Sequence, residues 1–366
     1  MKVGILTFHW ANNYGAVIQA YALLSKLKEL GHDAYIIDRQ RQYEGIARKL
    51  YHRFSYNHHF SWIKFHKDTN TFLTPTSKRY NTHAQLVEGF PQEKFDAVVV
   101  GSDQVWRWKI IGNNYFLDFI SDEKTKRISY AASFGINEWN GSEEDRKTIS
   151  ALLKKFNNVS VREESGIEIC RNTFGVEAQL VLDPTLLHTR EFYEKTLLKN
   201  HPAQNNKKIV SYILGNNQNK KQVVEIANLA KKMNLGHNEL YWTAIDHPSL
   251  IGKSQLHTTH ITPTEWINEI RNAEYIITNS FHATVFSILF QKQFVVLAHE
   301  GGGRNRLETL FNSLGINGRI VSTVEEAAKI LNNEIDYKVV AANHKKLMDK
   351  SIEYLNNSLQ NLNLLQ

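Results

Sequence analysis

The sequence predicts an α/β protein made of two doubly wound, Rossmann-like parallel-sheet domains facing a cleft. Three observations carry this. Short apolar runs alternate with stretches of helical apolar periodicity, which is the rhythm of repeated βαβ units. That rhythm breaks at a basic, aromatic stretch from Arg39 to Pro91 and at a polar segment from Asn200 to Lys208. The length of 366 residues also exceeds what one core usually fills. The expected division is residues 1–200, with the insertion at about 39–91, then 201–335, then a C-terminal helix over 336–366.

Composition narrows the function classes. Hydrophobic content of 42% and charged content of 22% are ordinary for a globular protein. The net charge of +7 is spread over scattered lysine pairs such as Lys207-Lys208 and Lys345-Lys346. These read as solvated faces rather than a polyanion surface, which leaves an anionic small substrate as the weaker inference. A single cysteine, Cys170, excludes an internal disulfide framework and any multi-cysteine metal site, and its helical context favours buried filler over nucleophile. No apolar run approaches membrane-spanning length and no secretory signal opens the chain, so the expected address is cytoplasmic.

The first unit is the strand from Lys2 to Phe8, a polar loop His9 to Gly15, a helix through Ile18, Tyr21 and Leu27, and a strand Ala34 to Ile37 ending at Asp38. An acid at that place suits a ribose, but the loop has one glycine and lacks the Gly-x-Gly-x-x-Gly fingerprint, which argues against a dinucleotide cofactor. Asn12 and Asn13 fit helix capping and ligand contact equally well. The insertion interleaves arginines and histidines with aromatics, yet no nucleic-acid module surrounds it, and His58 and His59 have no carboxylate at ligand spacing. It reads as a helical segment bordering the site, its aromatics either stacking on sugar rings or packing on themselves. Phe95 to Val100 then breaks into Gly101-Ser102-Asp103-Gln104-Val105-Trp106-Arg107-Trp108, a ligand-facing loop in character. Ile128 to Ala132 and Val159 to Val161 are further strands, and Arg162 stands just past the second. It is either the ion-pair partner of Glu163 and Glu164 or an anion-binding group. Ala178 to Leu182 precedes the turn Asp183-Pro184-Thr185.

The second half repeats the pattern with Ile209 to Leu214, Glu239 to Trp242, and a capped helix opening at Thr262-Pro263-Thr264-Glu265. Glu274 to Leu297 is strand, turn, helix, strand, with His282 at the turn. A helix beginning at a parallel strand's carboxyl end aims free N–H groups into the crevice where such sheets bind ligands. There an imidazole meets an anion, unless it only hydrogen-bonds backbone. Gly301-Gly302-Gly303-Arg304-Asn305-Arg306 follows, and Asp336 to Leu359 is the last helix.

Taken together, Asn12-Asn13-Tyr14-Gly15-Ala16-Val17-Ile18-Gln19, Gly101-Ser102-Asp103-Gln104-Val105-Trp106, Ser160-Val161-Arg162-Glu163, Asp183-Pro184-Thr185 and Ser280-Phe281-His282-Ala283-Thr284-Val285-Phe286 resemble the polysaccharide pyruvyl transferase family, in order and across nearly the whole chain. The resemblance implies a fold like GT-B glycosyltransferases. It also implies transfer of the enolpyruvyl unit of phosphoenolpyruvate onto two hydroxyls of a cell-surface polysaccharide or its precursor, with phosphate released and no cofactor or metal required. A lipid-linked acceptor would bring the protein to the inner membrane face. Nucleic acid is not an expected partner.

Carried onto this chain, the resemblance makes His282 the acid or base, with Asp103 a second base candidate. Arg162 becomes the cleft arginine of the donor side. The family pattern reads arginine, hydrophobic residue, histidine, whereas this chain has Ser280-Phe281-His282, so Arg304 or Arg306 is expected to replace the charge absent at Ser280. Asn12, Asn13, Tyr14 and Gln19 fall on the acceptor side. Trp106 and Trp108 are candidate stacking surfaces, Trp106 equally a core residue. Two rival classes share the fold: a glycosyltransferase using a nucleotide sugar, and a non-catalytic sugar-binding homologue.

Overall fold

The computed structural model describes residues 1–10, 13–40, 56–215, 218–240, 261–298 and 302–360. Asn12, most of the basic part of the insertion and Trp242 lie outside the described residues, and the side chains of 56–62 are likewise not described. Eleven strands are named in chain order: β1 Lys2–Leu6, β2 Asp33–Ile36, β3 Ala97–Val100, β4 Lys126–Ser129, β5 Ser160–Val161, β6 Gln179–Leu180, β7 Lys208–Tyr212, β8 Gly236–Leu240, β9 Tyr275–Thr278, β10 Gln293–Leu297 and β11 Ile320–Val321.

All pairings are parallel. The first sheet runs β2-β1-β3-β4, and single bridges from Ile128 to Asn158 and from Ala132 to Val161 append the β5-β6 pair. The second runs β11-β10-β9-β7-β8. Each order reverses once, between β1 and β3 and between β7 and β9, and ligands of such sheets bind beyond the carboxyl ends at that reversal. Gly101-Ser102-Asp103 follows β3 and Ser280-Phe281-His282 follows β9, so the two stretches singled out in the sequence occupy both reversal points. At the second, the Asn279 side chain ties the two loops together, accepting from the Leu214 N–H and donating to its carbonyl, both at 2.7 Å.

Parallel strands buried on both faces need continuous apolar runs, which Ala97–Val100 supplies with every residue buried. One apolar core crosses between the halves. Tyr14, on the helix Tyr14–Glu29 after β1, stacks on Trp266 at 5.5 Å and meets Phe65 and Tyr212 at 5.8 and 5.9 Å. Trp266 belongs to the helix Pro263–Asn272, begun by the Thr262/Glu265 capping box.

The helix Tyr56–Phe72, from the insertion, spans the same junction. Lys64 Nζ pairs with Glu265 at 2.7 Å, and Asp68 accepts from the Thr264 N–H and hydroxyl at 3.0 and 3.1 Å. This places Phe65 in the interdomain core rather than on a sugar-facing surface. The last helix, Tyr337–Leu359, crosses back to the first half: Leu182 N–H donates to Ser351 Oγ at 3.0 Å and Tyr354 OH to the Ser129 carbonyl at 3.0 Å. Among the described residues, no helix is long and apolar enough to cross a membrane.

Candidate active site

Asp183 is the hub of the site. It caps the short turn Pro184–Leu187, and its Oδ1 accepts from the Thr185 N–H at 3.1 Å and hydroxyl at 2.7 Å. Its Oδ2 accepts from Ser102 Oγ at 2.9 Å and Arg162 Nη1 at 2.6 Å, and stands 3.6 Å from His282 Nε2. Burial alone would raise this carboxyl, but His282, then Arg162 and Thr185, hold it well below the carboxylate range.

Arg162, only 4% exposed, also reaches Asp103 Oδ1 through Nη2 at 3.0 Å, while its guanidinium lies over the Phe281 ring 4.7 Å from the centroid. The carboxylates that pair with it closely are therefore Asp183 and Asp103, not the adjacent Glu163 and Glu164. Glu163 Oε2 stays 3.9 Å away, and its Oε1 accepts from the Phe134 N–H at 3.1 Å. Burial raises the Glu163 carboxyl despite Arg162 and Arg306 nearby.

His282 is the second residue of the helix Phe281–Leu289, which Ser280 caps by accepting from the Ala283 N–H at 3.4 Å. The imidazole is 7% exposed, and its Nε2 has no hydrogen-bond partner although it is buried. Across the domain junction it rests directly on Gly15, where an added Cβ would lie 2.2 Å from Nδ1. Glycine in the first turn of the N-terminal helix is thus required by the close approach of the histidine.

The loop after β3 is fixed by buried polar groups. Gln19 accepts from the Ser102 N–H at 3.1 Å and donates to Thr7 Oγ1 at 2.8 Å, and Thr7 Oγ1 donates to the Ser102 carbonyl at 2.9 Å. Gly101 adopts φ +118°, where a Cβ would sit 2.1 Å from the Tyr130 carbonyl oxygen, and Asp103 follows at φ 74°.

The structure thus brings together His282, Arg162, Asp103 and Arg306, the last with its guanidinium carbon 5.9 Å from the Phe281 centroid. Arg304 pairs along its own helix with Glu308 at 2.7 Å. Ser280 is occupied as a cap. Asn13 is also a cap, accepting from the Ala16 N–H at 3.3 Å. Tyr14 and Gln19 are fully buried, one in the interdomain core and the other positioning the β3 loop. Trp106 is fully buried too, stacked on Phe116 at 5.6 Å with its indole N–H on the Tyr115 carbonyl. Trp108 packs on Trp139 at 5.2 Å.

Asp38, which the sequence offers as a ribose acid, is held by His9 Nε2 at 2.9 Å, Arg79 at 2.8 Å and Gln40 at 2.9 Å. Asp183, Ser102 and Gly15 were visible in the motifs but carried no role from sequence reasoning. The available signal was position, because Asp183 follows the β6 strand as Asp103 follows β3.

A cavity of about 240 Å³ adjoins this cluster, lined by Arg162, Asp183, Phe281, Thr309, Ser313 and Lys350 among others.

Comparison with known proteins gives the fold and the family. The UDP-GlcNAc 2-epimerase of Neisseria meningitidis, solved bound to UDP-GlcNAc, matches at TM-score 0.57 and 12% identity, covering 98% of this chain and 99% of that one. The corresponding enzyme of Methanocaldococcus jannaschii matches at 0.53 and 16%, over 98% and 100%. A putative UDP-N-acetylglucosamine 2-epimerase from Listeria monocytogenes matches at 0.55 and 11%, over 98% and 95%. At these identities the likeness is one of fold, the two-domain GT-B type. No curated protein matches in sequence. The polysaccharide pyruvyl transferase family matches over residues 13–301, which takes in the motifs from Asn13 to Phe286 but not Asn12, Arg304 or Arg306, and the chain belongs to that family.

Proposed function

We propose that the protein transfers the enolpyruvyl group of phosphoenolpyruvate to two hydroxyls of a saccharide, forming a cyclic pyruvate ketal and releasing phosphate. In this reaction C3 of the donor takes a proton and becomes a methyl group, and C2 bonds to two sugar oxygens as its bond to the phosphate oxygen breaks. The two hydroxyl protons end on C3 and on the departing phosphate. One side chain able to give and take a proton near neutral pH is required, and histidine suits it best.

The observation that carries the reading is His282 Nε2: buried, without a hydrogen-bond partner, at a helix N-terminus and 3.6 Å from Asp183. Membership of the family supports reading that imidazole in this chemistry. His282 is the proposed proton donor to C3 and Asp103 the second base, with Arg162 and Arg306 holding the anionic ends of the donor.

The test is phosphate release from phosphoenolpyruvate in the presence of a saccharide acceptor. His282→Ala should lower it by about two to four powers of ten. Near-full turnover in a folded variant would remove His282 from the chemistry. Thermal stabilisation by a nucleotide sugar with none from phosphoenolpyruvate would replace the whole reading with glycosyl transfer.

A further inference from the structure

The geometry points to Gln104 as the residue that orients Arg306 without pairing its charge, leaving it available for an anion, and so as a determinant of donor binding. This rests on the pyruvyl-transfer reading for the identity of the anion, but not for its existence.

Arg162 and Arg306 flank the same phenylalanine, Phe281, yet their surroundings differ. Arg162 is ion-paired with Asp183 and Asp103 at 2.6 and 3.0 Å. Arg306 has no carboxylate within ion-pair distance among the described residues. Its partner is the Gln104 amide, whose oxygen, in the orientation that satisfies both groups, accepts from Nη1 at 2.9 Å and Nη2 at 3.2 Å. The Arg306 Nε is buried and has no partner. Asp103 and Glu163 lie within its electrostatic field, as do the cations Arg162 and Arg107, and burial followed by the Arg162 charge lowers the guanidinium to about 10, so it stays cationic at neutral pH. In the opposite amide orientation the Gln104 oxygen accepts instead from exposed Arg107 Nη1 at 3.3 Å and the Arg306 bonds are absent, so the two arginines compete for one acceptor.

One oxygen bridging both terminal nitrogens orients a guanidinium, and either glutamine or glutamate could supply it. Only glutamine does so without cancelling the charge. Gly135, at φ +66°, makes room for the amide, since a Cβ there would lie 2.5 Å from the Gln104 side-chain oxygen position. Gln104 is thus a positioning residue that aims a cation and leaves it unneutralised. This supplies in part the charge that Ser280 does not.

Two substitutions separate charge from hydrogen bonding. Gln104→Glu keeps the shape and the acceptor and adds a negative charge; Gln104→Ala removes the acceptor and leaves the charge. Binding is read by thermal-shift titration with inorganic phosphate and with phosphoenolpyruvate, and KM and kcat by phosphate release. The expected order of affinity is wild type, then Ala, then Glu. The Glu variant should show at least a tenfold rise in midpoint and KM, a smaller change in kcat, and a melting temperature no lower than wild type. A Glu variant that binds phosphate as well as wild type, or better than Ala, overturns the assignment. If wild type releases no phosphate from phosphoenolpyruvate while the phosphate titrations keep the expected order, the Gln104 assignment stands and the pyruvyl-transfer reading falls.

Discussion

The contact between Gly15 and His282 can be tested by adding one methyl group. An ideal Cβ at position 15 would lie 2.2 Å from His282 Nδ1, 2.4 Å from Cγ and 2.7 Å from Cβ, all inside van der Waals contact. The last of these atoms belongs to the root of the side chain, so rotation about χ1 cannot clear the clash. The helix Tyr14–Glu29 or the helix Phe281–Leu289 must move. Gly15→Ala gains up to about 1 kcal/mol of helix propensity, against an overpacking penalty of about 1–3 kcal/mol. The net change in stability is therefore small to moderate. Its effect on catalysis should be larger, because displacing a reacting group by about 1 Å costs on the order of 10² in rate. Thermal melts and phosphate release on the same preparation measure both. A cycle with His282→Ala adds a test free of any assumption about substrate: truncation removes the 2.2 and 2.4 Å contacts and leaves the third, so part of the destabilisation by Gly15→Ala should vanish in the double variant. Additive stabilities together with an undiminished rate in Gly15→Ala would refute the close approach and the role built on it.

The two arginines should part company. Arg162→Ala strands Asp183 and Asp103 in a buried setting and should destabilise the fold by about 3–5 kcal/mol, whereas Arg306→Ala, with a neutral partner, should leave the melting temperature nearly unchanged and raise the donor's KM. Equal losses of stability in denaturant titrations would contradict that division. Tyr14→Ala empties the aromatic junction between the halves and should lower stability by about 3–5 kcal/mol, and a value under 1 kcal/mol would mean the junction is not a shared core. Acid should weaken the fold early. His188 and His66 are lowered to about 4, in each case chiefly by burial, and His66 further by Arg79 and His9. In the unfolded chain they take up protons near pH 6.5, so the unfolded state binds more protons between about 6.5 and 4 and stability falls with pH across that window. His188→Gln should flatten the slope of melting temperature against pH there.

The fold was legible because its signal is local. Apolar runs of four or five residues ending in glycine, serine or aspartate mark parallel strands and their carboxyl ends, and both reversal points of the sheets fell on stretches that looked unusual in the sequence. His282 was legible for the same reason, since a strand-turn-helix fixes its place without knowledge of the other half. What the sequence did not disclose are pairings across distance. Asp183 reads as a turn residue until Arg162, Ser102 and His282 converge on it from positions 21, 81 and 99 residues away. Tyr14 and Trp106 have the composition of a sugar-stacking surface, and only packing against Trp266 and Phe116 makes them core.

The same distinction explains why one arginine among three candidates stands out. Arg162 and Arg304 each have a carboxylate that closes on them, one from across the site and one from four residues along the same helix. Arg306 faces an amide instead. Nothing in the spacing of Gly301 to Arg306 separates Arg304 from Arg306, because their difference lies in the partner each meets after folding. A cation held by a neutral acceptor in a partly desolvated site retains more of its field than one already paired, and that residual field is what a phosphate or carboxylate would bind. On the proposed reading, the charge absent at Ser280 comes from Arg306, whose partner leaves it uncompensated, and not from Arg304.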